Sequence, residues 1–181
     1  MTENKVIQPF ETLDLDTCTL AESGVFIGYK GREEMIAIFT RMLADAHRSI
    51  HYFSGRFDPF LFDTELVRGR MEKILAAYPG SSIRTLVKDS QPLVQAGQRV
   101  LEVLRQYVPK TECRLRHGLP GDTEIAFITV DESGYLLLPN ADHYNGTACF
   151  DAPGEVEKLT GIFNERWASA TPDPDVQQIY I

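Results

Sequence analysis

The segment Glu124-Ile-Ala-Phe-Ile-Thr-Val-Asp131 limits the possible folds of this chain more than any other. Ile125 to Val130 holds no charged residue and a single hydroxyl, so as a strand it has no wet face. Such a strand sits centrally, covered on both sides. Asp131-Glu-Ser-Gly134 ends the run, and Tyr135-Leu-Leu-Leu138 resumes it. That is the pattern of a hairpin whose connection puts Gly134 at the left-handed position.

Helical and strand patterns alternate around this hairpin. Met35, Phe39, Met42, Leu43 and Ala46 recur at helical spacing and predict a helix over 31–46. Arg48-Ser-Ile-His-Tyr-Phe53 predicts a strand that ends in the loop Ser54-Gly-Arg-Phe-Asp-Pro59. Asp63-Thr-Glu supplies the cap of a helix with Val67, Met71, Ile74, Leu75 and Tyr78 on one stripe, closed by Pro79-Gly80. After a strand at Ile83–Val87, Ser90 caps one helix running from Leu93 through Gly97 to Val108. Thr111 to His117 sets Cys113 and Leu115 against Glu112, Arg114 and Arg116, which predicts a strand near the sheet edge with one wetter face. The last helix starts near Asp151, buries Val156, Leu159, Phe163 and Trp167, and stops near Ala170 before two prolines. Gly24-Val-Phe-Ile-Gly28 suits a short strand, and Asn145-Gly-Thr147 a turn.

This order predicts a layered α-β-α sandwich on a mixed, mostly parallel sheet, with the hairpin as its antiparallel pair. A flavodoxin-like sheet accommodates the same alternation. With 181 residues the chain builds one substantial core. The expected organisation is a single α/β domain over 31–170, a poorly defined segment over 1–30 packing on it, and a tail over 171–181 whose Val176 to Ile181 dock on the domain. No apolar stretch approaches the roughly 20 residues of a membrane helix. The N-terminal residues lack the basic and apolar pattern of a secretory signal, so a cytoplasmic chain is expected. A formal net charge of −8 opposes nucleic-acid phosphates. Cys18, Cys113 and Cys149 are widely spaced and expected as reduced, buried thiols. The four histidines lack metal-ligand spacing, and no nucleotide or dinucleotide loop motif is present, so neither metal nor cofactor is expected.

In this frame, Glu124 to Asp131 resembles part of the His-x-Lys-x4-Asp motif of the phospholipase D superfamily. Glu124 stands at the histidine position, Ala126 at the lysine position and Asp131 at the aspartate. Arg56-Phe-Asp-Pro59 with Phe62-Asp63, Thr85-Leu-Val-Lys-Asp89 and Phe163-Asn-Glu-Arg-Trp167 resemble an uncharacterised bacterial family often joined to an N-acetyltransferase domain. The resemblance covers about residues 31–170. It implies a degenerate single-repeat phospholipase D-like domain. Active members of the superfamily use histidines from two repeats, one attacking phosphorus and one protonating the leaving group, and single-repeat members dimerise to bring them together. With glutamate and alanine in place of histidine and lysine, that chemistry is lost here. Asp131 is a motif remnant that turn chemistry alone also explains. A homodimer and an acetyltransferase partner are implied.

Loops at the carboxyl ends of parallel strands line the ligand crevice of such sheets. Arg56, Asp89, Ser90, Arg116 and His117 stand in such loops, and Glu124 and His143 are possible neighbours from the hairpin region. The arginines and His117 favour an anion, while ion pairing and ordinary solvation account for the same residues. Three functions follow: a noncatalytic binding or interaction module, a hydrolase of a phosphorylated small molecule pairing Glu124 with His143 or His117, and an effector-binding regulatory domain. The sequence names no ligand.

Overall fold

In a computed structural model of the protein, residues 5–118 and 125–177 are described. Among the described residues nine strands form one sheet: β1 (Ile7–Pro9), β2 (Phe26–Lys30), β3 (Ser49–Phe53), β4 (Ser82–Val87), β5 (Thr111–Leu115), β6 (Ala126–Val130), β7 (Gly134–Leu138), β8 (Asn145–Cys149) and β9 (Thr171–Pro172). Their order is β1-β2-β8-β7-β6-β3-β4-β5-β9. All five residues of β6 are buried, and the strand lies in the middle of the sheet as its two-sided apolarity requires.

The helices are α1 (Arg32–Asp45), α2 (Pro59–Phe62), α3 (Glu65–Ala77), α4 (Gln91–Ala96), α5 (Gln98–Gln106), α6 (Pro153–Ser169) and α7 (Pro174–Gln177). Residues of α1 to α5 pack against one face through Ile50, Tyr52, Ala126, Ile128 and Val130. The stripe Val156, Leu159, Phe163 and Trp167 of α6 covers the other face through Phe53, Leu86 and Phe127. These are the expected layers. Thr64 caps α3 as read from the sequence, its Oγ1 accepting from Val67 N at 3.2 Å.

Several local expectations need correction. The sheet is mixed; among the described strands β1 with β2, β3 with β4 and β4 with β5 pair parallel. The other neighbours, β2–β8, β3–β6, β6–β7, β7–β8 and β5–β9, are antiparallel, so antiparallel pairs are not limited to the hairpin. Asn145-Gly-Thr147, expected as a turn, begins strand β8 between β2 and β7. Gly146 fits there because a Cβ would run into the Leu137 carbonyl and the Tyr29 hydroxyl. The helix expected from Ser90 to Val108 divides at Gly97 into α4 and α5. Ser90 makes no side-chain cap; Asp89 Oδ1 instead accepts from Gln91 N at 2.9 Å.

The hairpin's left-handed residue is Asp131, with φ of 53°, rather than Gly134. At 134 a Cβ would lie 2.6 Å from Leu20 Cδ1, so any larger residue there would make the tip of that side chain shift. The stretch after Ala170 does not trail away. β9 pairs with β5, Asp173 is fully buried and Val176 joins the main core. Ile179 to Ile181 lie outside the described residues. No helix among the described residues is long and apolar enough to cross a membrane.

On the α6 face, His51 stacks on Phe163 with ring centroids 4.7 Å apart, and its Nδ1 lies 3.2 Å from Thr129 Oγ1. Burial, with the nearby Arg84 charge, lowers its pKa from 6.5 to about 4. Unfolded chains therefore take up this proton first as pH falls. The stability supplied by neutral His51 is complete above pH 6.5 and lost through the window down to about 4. In urea titrations at pH 7 and pH 4.5, His51→Phe should lose less stability on acidification than wild type, by on the order of 2 kcal/mol.

Candidate functional site

The exits of β3 and β4 are stitched together by backbone hydrogen bonds. Ser54 N donates to Leu86 O at 3.1 Å, Lys88 N and Asp89 N both donate to Gly55 O at 3.0 Å, and Phe57 N donates to Asp89 O at 3.0 Å. This holds the Ser54–Phe57 loop over the sheet edge, beside the amino end of the antiparallel β6. Tyr52, buried on β3, braces the loop from below: its hydroxyl donates to Arg56 O and accepts from Asp58 N, both at 3.2 Å. Burial pushes the Tyr52 phenol far above its ordinary pKa, so it stays protonated.

A polar relay forms the opposite wall. Arg32 Nη2 donates to Tyr144 Oη at 2.9 Å, and Tyr144 Oη donates to Asp58 Oδ2 at 2.7 Å. Asp58 Oδ1 caps α2 by accepting from Phe60 N at 3.0 Å. The Arg32 guanidinium lies 4.6 Å from the ring centroids of both Phe60 and Tyr144. Its hydrogen bond to Tyr144 raises its pKa further, and burial followed by the Asp58 hydrogen bond raises that of Tyr144. At neutral pH Arg32 is therefore a guanidinium and Tyr144 a phenol.

Between loop and relay lies a cavity of ≈ 490 Å³. Met35, Tyr52, Phe57, Ala126 and Leu138 give it an apolar floor, and Arg56, Phe60 and Asp142 stand among its lining residues. Among the described residues no group of three or more His, Cys, Asp or Glu able to hold a metal ion is found.

Of the residues expected to form a ligand pocket, Arg56 lines this cavity and Asp89 pairs with it at 3.3 Å. Ser90 is buried behind them. Arg116 is not on a wet face: it is buried, with its guanidinium 4.3 Å from the Phe53 ring centroid, in the layer beneath α6 and away from Tyr52. His117 and His143 are exposed and do not line the cavity, although Asp142 and Tyr144 beside His143 do. Glu124 lies outside the described residues. Arg32, Asp58, Phe60 and Tyr144 line the cavity and were not among the residues expected to form the pocket. Asp58 before Pro59 is a cap signature that could have been recognised. Nothing local announces the meeting of Arg32 with Tyr144, which are 112 residues apart.

The sequence profile of a family described as a domain of unknown function, DUF7931, matches residues 31–179. The chain belongs to the DUF7931 family. No curated protein matches its sequence. Solved structures share the fold at low identity. Nuc of Salmonella typhimurium, a phospholipase D family member, is 13% identical with a TM-score of 0.51, over 75% of this chain and 88% of its own. NucT from Helicobacter pylori is 12% identical with a TM-score of 0.57, over 82% and 99%. The archaeal chromatin protein TrmBL2, whose structure shows a novel mode of DNA binding, is 16% identical with a TM-score of 0.58. That match covers 87% of this chain and 56% of TrmBL2, so the DUF7931 chain spans little more than half of it. The fold is phospholipase D-like, a mixed sheet with helices on both faces.

Asp131 sits at the far end of β6 from the cavity. Its Oδ1 accepts from Arg48 N at 2.9 Å and Ser49 N at 3.0 Å, and its Oδ2 from His47 N at 3.1 Å. The carboxylate thus ties the start of β3 to the end of β6. Asp131→Ala should cost about 2–4 kcal/mol in urea denaturation, by leaving backbone donors without their acceptor. Asp131→Asn, which keeps one acceptor oxygen, should cost less.

Proposed function

We propose that this DUF7931 chain is a noncatalytic binding module, in which a phospholipase D-like crevice serves recognition rather than reaction. The observation that carries this reading is Ala126, which stands at the motif's lysine position and lines the ≈ 490 Å³ cavity. A methyl group cannot neutralise a phosphoryl oxygen, and a glutamate at the histidine position brings a negative charge where superfamily chemistry needs a neutral nucleophile. The cavity falls within the usual size of small-molecule sites, with an apolar floor and a few fixed polar groups.

The same reading includes a second copy of the chain and an N-acetyltransferase as protein partners, both suggested by the sequence resemblance. It leaves out nucleic acid, and the formal net charge of −8 supports that choice. A reducing, cytoplasmic setting suits three cysteines that are free and buried.

Assays with bis(p-nitrophenyl) phosphate and p-nitrophenyl phosphate test the loss of catalysis. Wild type should release no nitrophenolate above the level of Glu124→Ala. Hydrolysis by wild type that disappears in Glu124→Ala or His117→Ala would replace this reading with a hydrolase using a non-standard site.

A further inference from the structure

The polar groups of the cavity are unequally satisfied. Asp58 has both carboxylate oxygens engaged within the chain, by Phe60 N and by the Tyr144 hydroxyl. Arg32 gives one hydrogen bond, from Nη2, while its Nε is buried without a hydrogen-bond partner among the described residues. Arg32 lines the cavity, so a ligand acceptor there would meet the guanidinium donors that Tyr144 leaves over.

Arg32 is also held ready. The guanidinium lies 4.6 Å from the ring centroids of both Phe60 and Tyr144 and donates to the Tyr144 hydroxyl, and a fork held in this way loses little freedom on meeting an acceptor. It is the first residue of α1, a 14-residue helix whose N-cap, Gly31, offers no side chain to the first-turn N–H groups. The positive end of the helix adds to the guanidinium charge. Glu33 and Glu34 oppose it, but the Glu34 carboxylate turns back to accept from Lys30 N at 2.7 Å.

Resting on the reading of this cavity as a binding site, we infer that it takes a small amphipathic monocarboxylate, with the carboxylate at Arg32 and an apolar body against Met35, Phe57, Ala126 and Leu138. A cation is disfavoured because Arg32 already covers the aromatic faces that would hold it. A phosphomonoester carries about −1.5 to −2 charges. The lining answers that poorly, since Arg56 is paired with Asp89 and Asp142 adds a negative charge. A single carboxylate matches a single preorganised guanidinium.

The test is calorimetric titration of the whole chain with phenylacetate and hexanoate, with their neutral analogues phenylacetamide and hexanamide, and with phenyl phosphate. Each acid should bind at least about tenfold more tightly than its amide, and Arg32→Gln should abolish that preference. Ala126→Leu, which fills the floor without touching Arg32, should weaken both acids by about tenfold or more, and keeps the test decisive if Arg32→Gln does not fold. Amides binding as well as acids would overturn the carboxylate assignment and leave the binding-site reading standing. So would tighter binding of phenyl phosphate, or an acid preference that survives Arg32→Gln. No binding of any of the five compounds overturns both.

Discussion

The rest of the molecule depends on the burial of β6 on both faces. A strand with no wet side needs hydrogen-bonding neighbours at both edges, which β3 and β7 supply, and apolar cover above and below, which α1 to α5 and α6 supply. Only its two ends are left for other work. At the carboxyl end Asp131 adopts a left-handed conformation and binds the backbone that starts β3. At the amino end Ala126 is small enough to leave room between the β3 loop and α1. The two ends of the strand thus do different work, Asp131 as a structural tie and Ala126 in the lining of the cavity.

The cavity wall shows how distant segments combine into one electrostatic unit. Arg32 comes from the start of α1, Asp58 from the cap of α2, and Tyr144 from the approach to β8. The Gly31 N–H donates to Tyr144 O at 2.8 Å, so the backbone that positions Arg32 is tied to the residue its side chain meets. Asp58 has a second structural role, capping α2 by accepting from the N–H of Phe60, whose ring lies against Arg32. The guanidinium is therefore oriented by groups that cannot move independently, which is the condition for recognition without large reorganisation.

The parts of this fold legible in the sequence were those dominated by one-dimensional periodicity. The stripes of α1, α3 and α6, the two-sided apolarity of β6 and the cap at Thr64 are local facts, and the structure follows them. Long-range partners decided the rest. Asn145–Cys149 is weakly apolar and contains Gly146, yet it becomes a strand because β2 and β7 leave a slot that admits only glycine beside Tyr29. Arg116 alternated as though it faced water, but the aromatic ring of Phe53 offers its guanidinium a buried seat. The crevice rule found Arg56 and Asp89 because they follow parallel strands, and missed Arg32 and Tyr144 because they do not.

Methyl spectra of chain labelled at alanine and methionine, recorded while phenylacetate is added, test the central claim most directly. The account predicts saturable shifts of Ala126, Ala141 and Met35, which line the cavity, with Ala37 in the groove between α1 and α3 unmoved. Shifts centred on Ala37, or spectra unchanged at saturating ligand, would contradict it.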